Sequence, residues 1–196
     1  DRSRGLGDVY KRQVLMIDKN RPEIKFVSPV SGEVTAVNRG EKRKVLSIVV
    51  KPDAQIEYEE FGKKNVASLQ GAEVKEVLLN AGMWPFIKQR PYDIVAAPLD
   101  TPRDIFVSAF YSAPLAPNFD FIVKGQEADF QTGLNALAKL TNGKVYVGVR
   151  SGSVVSGMKG VEIVEVEGPH PAANVGVQIN HIKPVNKGEV VWTVNP

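Results

Sequence analysis

The chain has no cysteine, and only two histidines and three methionines among its 196 residues. Without cysteine there can be no disulfide, no thiolate-bound zinc, no cysteine-ligated iron–sulfur cluster and no cysteine nucleophile. Long hydrophobic runs are also missing. The longest, around Ile105–Phe110, falls far short of the roughly 20 apolar residues that cross a bilayer. This predicts no membrane span in the chain, and no secretory-type apolar segment stands near its start. A basic stripe with interleaved aromatics, as single-strand binding requires, is absent too. The pI near 9.0 is therefore a poor guide to nucleic acid. Residues 1–13 carry Arg2, Arg4, Lys11 and Arg12 against Asp1 and Asp8, which is +2 of the formal +3. That opening stretch shows neither strand nor helix periodicity and reads as a non-native or disordered tail, 1–13.

From Val14 the texture changes. "VLMI", "IKFV", "GEVTAVN" and "KVLSIVV" are short β-branched runs, separated by "DKNRPE", "SPVSG" and "NRGEKRK". Such punctuation predicts four hairpin-linked strands, hence a small barrel or sandwich over 14–55. Further on the period shifts. Val74, Val77, Leu78 and Ala81 share a helical face, and Gly82 ends that helix. "MWPFIKQRPYD" carries two prolines and is expected to be irregular. "DIFVSAF" (104–110) reads as a strand covered on both faces. "FIVKG" reads as a turn between strand and helix. "QEADFQTGLNALAKLTNGK" predicts a helix that buries Phe130, Leu134, Leu137, Ala138 and Thr141 and stops at Gly143. "VYVGV", "VEIVEV" and "GEVVWTV" are further strands. Strand, helix and strand in that order predict an α/β domain over 60–196.

Three features invite a chemical reading. Lys19 lies on the hairpin between the first two runs, where a biotinyl or lipoyl carrier bears its swinging arm. Ten positions separate Lys19 from Pro29, Pro22 interrupts the hairpin, and Met-Lys-Met is absent, so a barrel that carries nothing is the stronger reading. Gly125 precedes a helix where a flavin or nucleotide phosphate could sit. One glycine is no dinucleotide fingerprint, however, and Glu127 and Asp129 in the first turn repel an anion. His170 and His181, the only histidines, stand eleven residues apart in "GPHPAANVGVQINHI". That spacing suits neither a helical nor a strand-borne metal pair, and no serine elbow accompanies them. A Pro-bracketed bend is the simpler reading.

Taken in order, "VLMIDKNRPEIKFVSPVSGEVTAVNRGEKRKVLSIVV", "LLNAGMWPFIKQRPYDIVAAPLDTPRDIFVSAFYSAPLAPNFDFIV", "GQEADFQTGLNALAKLTNGKVYVGV" and "GPHPAANVGVQINHIKPVNKGEVVW" resemble the A subunit of the bacterial Na⁺-translocating NADH:quinone reductase. The resemblance runs from Val14 to Pro196. It implies a mixed α+β and α/β chain: a partial biotinyl/lipoyl-like barrel-sandwich module, then an α/β domain similar to the flavin-binding subunit of respiratory complex I. It also implies an internal fragment of a longer chain, lacking the opening barrel strands and a C-terminal domain. The implied role is a peripheral subunit on the cytoplasmic side of the inner membrane, associated with the quinone-reducing end and not catalytic alone. The implied complex passes electrons through FAD, FMN, riboflavin and Fe–S centres to ubiquinone and transports Na⁺, while this chain holds no redox cofactor or metal. Its partners would be the other subunits and, at the surface, ubiquinone. The bend Gly168, Pro169, His170 and Pro171, with Trp84 and Phe86 of the "MWPF" loop, is the expected quinone or subunit contact.

Overall fold

The computed structural model describes residues 2–3 and 7–196. The chain divides into two compact units, Asp1–Lys64 with Glu76–Pro85, and Asn65–Lys75 with Phe86–Pro196.

The first unit contains β1 (Arg2–Ser3), β2 (Asp8–Val9), β3 (Val14–Ile17), β4 (Lys25–Val27), β5 (Gly32–Arg39) and β6 (Val45–Pro52). They form two three-stranded antiparallel sheets, ordered β1-β3-β4 and β2-β5-β6. All four strands expected after Val14 are present. Val9, Ile24 and Val34 are buried in this unit. Gly32 is required where β5 opens: its φ is +149°, and a Cβ there would lie 2.0 Å from the Lys51 carbonyl oxygen.

The expectation that residues 1–13 stand outside the fold fails where they are described. Asp8 and Val9 pair with Glu33 and Gly32, and Arg2 pairs with Ile17. Lys11 bridges to Tyr58. The reason is Val9, which is 5% exposed and fills the unit's core. One apolar residue among many charges carries no periodicity, so the sequence pattern hides it. Residues 1 and 4–6 lie outside the described residues.

In the second unit a six-stranded sheet carries the architecture. Its strands are β7 (Lys88–Arg90), β8 (Ile94–Val95), β9 (Ile105–Ser108), β10 (Val145–Val149), β11 (Glu162–Glu165) and β12 (Val191–Val194). The order is β11-β10-β9-β12-β7-β8. The first four run parallel, and β7 and β8 add an antiparallel edge. All four residues of β9 are buried, as expected for a strand covered on both faces. The helices are α1 (Gly71–Asn80), which belongs by sequence partly to each unit, α2 (Phe119–Val123), α3 (Glu127–Ala138) and α4 (Val175–Ile182).

The connection β9–α3–β10 steps one way across the sheet. The connection β11–α4–β12 returns past β9 to its other side. Right-handed crossovers then place α3 and α4 on opposite faces, and the strand order reverses between β9 and β12. On the α4 face, Phe106, Val175, Ile179 and Val191 form one buried cluster with Tyr146, Ile182 and Val185. The Phe106 and Tyr146 rings stack there at 5.0 Å.

Two segments differ from the sequence reading. "FDFIV" is a short helix, because the Asn118 side chain accepts the Phe121 N–H at 3.2 Å and caps it. "KQR" joins the sheet as β7, although prolines on either side of it predict an irregular segment. It pairs with β12 on one side and β8 on the other.

The amino-terminal ends of the parallel strands converge on Asp104, whose side chain is 1% exposed. Its carboxylate accepts from Arg103 Nε and Lys183 Nζ, each at 2.7 Å, and from the Lys144 N–H at 3.0 Å. Burial opposes ionisation, but the donors from Lys183, Lys144 and Arg103 outweigh it and hold the carboxyl below its ordinary range. Arg103 also pairs with Glu189, and the Asp104 carbonyl accepts the Trp192 N–H at 3.1 Å. A carboxyl with a lowered folded pKa adds stability above its unfolded pKa and loses it as pH falls toward the folded one. Acid titration of unfolding should therefore show stability falling below the ordinary carboxylate range, with Asp104→Asn flattening that fall. Asp104→Asn should also cost about 2 kcal/mol at neutral pH, because a buried neutral amide would set its own N–H donors against those of Arg103, Lys183 and the Lys144 N–H.

Candidate functional site

In open parallel sheets, ligands bind beyond the carboxyl ends of the strands where the strand order reverses. Here that place lies beyond β9 and β12. The chain leaves β9 through Phe110, Tyr111 and Ser112, and leaves β12 through Asn195 and Pro196. With Arg90, His170 and the start of α4, these residues line a cavity of about 400 Å³.

α4 begins at Asn174 and offers the cavity the exposed Gly176 backbone. The helix is held onto the sheet by Gln178, a polar side chain only 2% exposed. Gln178 Nε2 donates to Ser108 Oγ at 3.2 Å and reaches the Ala172 and Ala173 carbonyls at 3.3 Å. Ser108 Oγ in turn donates to the Ala173 carbonyl at 2.8 Å. Room for Gln178 exists because residue 148 of β10 is glycine: a Cβ there would lie 2.3 Å from Gln178 Oε1. The buried polar groups thus satisfy one another and fix the path of residues 172–178.

That path sets His170. Ser112 Oγ accepts the Ala173 N–H at 3.0 Å and meets His170 Nδ1 at 3.1 Å. A serine proton given to Nδ1 favours the tautomer with the proton on Nε2. The imidazole is exposed, so this ring can offer a donor to a ligand. It stands between two spaces, because His170 also lines a second cleft of about 580 Å³ with Gly168, Pro169, Pro171, Gln178 and His181. The two histidines therefore share one cleft, which sequence spacing alone does not predict. Among the described residues, no group of three or more His, Cys, Asp or Glu is placed to hold a metal ion.

Of the residues expected to form a contact, Gly168, Pro169, His170 and Pro171 come together along this second cleft. Phe86 is 66% exposed and lines neither space. Trp84 is 0% exposed. Its expected surface role is corrected: an indole without accessible area cannot meet a ligand or a partner. Lys19 sits exposed at the β3–β4 tip, where Asp18 Oδ1 accepts the N–H groups of Asn20 and Arg21 at 2.7 and 3.2 Å. Gly125, φ +81°, links α2 to α3 instead of a strand to a helix. The neighbouring backbone N–H groups of Gly125 and Glu127 favour the charged form of the exposed Glu127 carboxyl and lower its pKa. Glu127 and Asp129 put two carboxylates in the first turn of α3, where they repel a phosphate.

Sequence reasoning missed α4 and with it Gln178, Ser108, Ser112 and Arg90. Gly148 inside an apolar strand was the available signal, since such a glycine marks close approach.

A family model described as the NqrA second alpha/beta domain matches residues 69–196. A second, the NqrA N-terminal barrel-sandwich hybrid domain, matches residues 6–53. The chain belongs to the NqrA family. It is similar to proteins named as the A subunit of Na(+)-translocating NADH-quinone reductase. The one from Vibrio anguillarum is 39% identical over 192 residues, 96% of this chain and 43% of the relative. Those from Neisseria meningitidis serogroup A and Photorhabdus laumondii are each 37% identical, over 194 and 188 residues, covering 96% and 94% of this chain. The chain spans about 43% of the length of the first of these and 42% of the second.

Gly148→Ala should displace Gln178 and lower the stability of the α/β unit by about 2 kcal/mol. Gln178→Ala in the same chain should recover part of that loss, a coupling that chemical denaturation of the single and double variants would measure.

Proposed function

We propose that this chain supplies the barrel-sandwich and second domains of the peripheral NqrA subunit of a Na⁺-translocating NADH:ubiquinone oxidoreductase. The subunit stands on the cytoplasmic side of the bacterial inner membrane, at the quinone-reducing end, and holds no tightly bound redox cofactor of its own. The ordered match of both family domains along one chain carries this reading. Two further observations support it. No helix among the described residues is long and apolar enough to cross a membrane. The start of α3, considered above for a nucleotide phosphate, carries Glu127 and Asp129 in its first turn, which disfavour an anion there.

Within this reading, the cleft walled by Gly168–Pro171 is the contact for quinone, with His170 offering its Nε2 proton to a carbonyl oxygen. The exposed ring of Phe86 suits a neighbouring subunit. Tagged full-length parent protein, captured from gently solubilised membranes, should bring down flavin-bearing partners and Na⁺-stimulated NADH:quinone activity. Recovery of a lone protein would sink the assignment. In the captured enzyme, His170→Ala should raise the quinone KM several-fold, consistent with loss of one hydrogen bond to a ligand. An unchanged KM with intact assembly would remove His170 from the quinone contact.

A further inference from the structure

The tip of the β5–β6 hairpin reads Arg39-Gly40-Glu41-Lys42-Arg43-Lys44. Four bases and one acid are crowded into six residues, and every one except Gly40 is exposed. The backbone of the tip is satisfied within itself. The Gly40 N–H donates to the Lys44 carbonyl at 2.8 Å, and Arg39 donates to the Arg43 carbonyl at 3.0 Å. Lys42, Arg43 and Lys44 take part in none of the ion pairs found among the described residues.

The conformation of the tip is unusual. Lys42 and Arg43 occupy the left-handed region in succession, at φ +53° and +62°. Tight hairpin tips of this hand favour Asn-Gly or Gly-Gly, which adopt it without strain. This chain keeps two long cationic side chains there instead. The internal hydrogen bonds hold the backbone of the turn, while the exposed charged ends of Lys42 and Arg43 enter none of the ion pairs among the described residues and face outward for a partner outside the chain. Beside the tip, Leu46 is 64% exposed and leans over Gly40, where a Cβ would meet it at 3.1 Å. No aromatic side chain occurs from residue 28 to residue 57, so the hairpin lacks the aromatic stacking platform of single-strand binding. A cationic loop with an adjoining apolar residue matches an anionic lipid surface, where phosphates meet the bases and an aliphatic side chain enters the interface.

We propose that the β5–β6 hairpin is a membrane-docking element that binds anionic phospholipid headgroups through Arg39, Lys42, Arg43 and Lys44, with Leu46 seated in the interface. The inference stands on the hairpin itself and does not require the assignment of activity. The test is cosedimentation of the chain with phosphatidylglycerol-containing vesicles and with neutral phosphatidylcholine vesicles. The chain should bind the first, lose binding as salt rises, and ignore the second. The double variant Lys42→Gly/Arg43→Gly removes two charges and should bind about thirtyfold more weakly. Because glycine suits the left-handed region, its melting temperature should be equal to or above that of the unmodified chain, which separates lost binding from lost fold. Lys63→Gly/Lys64→Gly, an equal charge loss at another exposed site, should bind within about threefold of the unmodified chain. Failure to bind phosphatidylglycerol vesicles, or equal weakening by the two double variants, would overturn the proposal. So would preference for a single-stranded oligonucleotide over the vesicles.

Discussion

One buried carboxylate, Asp104, ties together the amino-terminal ends of the parallel strands. It precedes β9, takes the N–H of Lys144 just before β10, binds Lys183 at the end of α4 and, through its carbonyl, anchors β12. Four separately folded pieces of sequence meet at this junction. A carboxylate this deeply buried persists only because each of its oxygens is satisfied. With that edge of the sheet fixed, the opposite edge, where strands end and loops begin, is free to serve as a site. Gly143 shows how tightly the junction is built, since a Cβ there would lie 1.9 Å from the Arg103 carbonyl oxygen.

At the free edge the chain uses polar groups in an orderly way. Gln178 and Ser108 are buried and spend their hydrogen bonds on the backbone of residues 172–173. Ser112 uses the same segment to orient His170. The outcome is an exposed imidazole on a rigid support, between two cavities, with no metal-holding cluster among the described residues. Positioning and hydrogen bonding are what such a site can offer. That chemistry suits the contact role proposed for the cleft better than a nucleophilic one.

Much of this was legible in the residues. β-branched runs broken by glycine, proline and asparagine marked the strands of both units, because those residues punctuate chains for steric reasons that hold in any context. The helix ending near Gly82 and the buried β9 were legible for the same kind of reason. What escaped depended on partners far away in sequence. α4 holds Val175, Val177 and Ile179 behind two prolines, and these β-branched residues do not announce a helix; packing on Phe106 and Val191 makes it one. β7 is built of Lys88, Gln89 and Arg90, and only its two neighbours make it a strand. Val9 is lost among charges. The bend at residues 168–171 stands out in the sequence as a place for contact, whereas Trp84 misleads: the aromatic ring that suggests a surface role is fully enclosed.

The close approach of Gly148 and Gln178 ties two distant positions into one inherited unit. No side chain fits at residue 148 while glutamine occupies residue 178, and glutamine at 178 has its hydrogen bonds only because 148 is bare. Drift at either place alone meets a steric or polar penalty. Descendants of this chain can cross from one packing to another only by changing both, so the pair should travel together through the family as a lock that substitution at single sites cannot open.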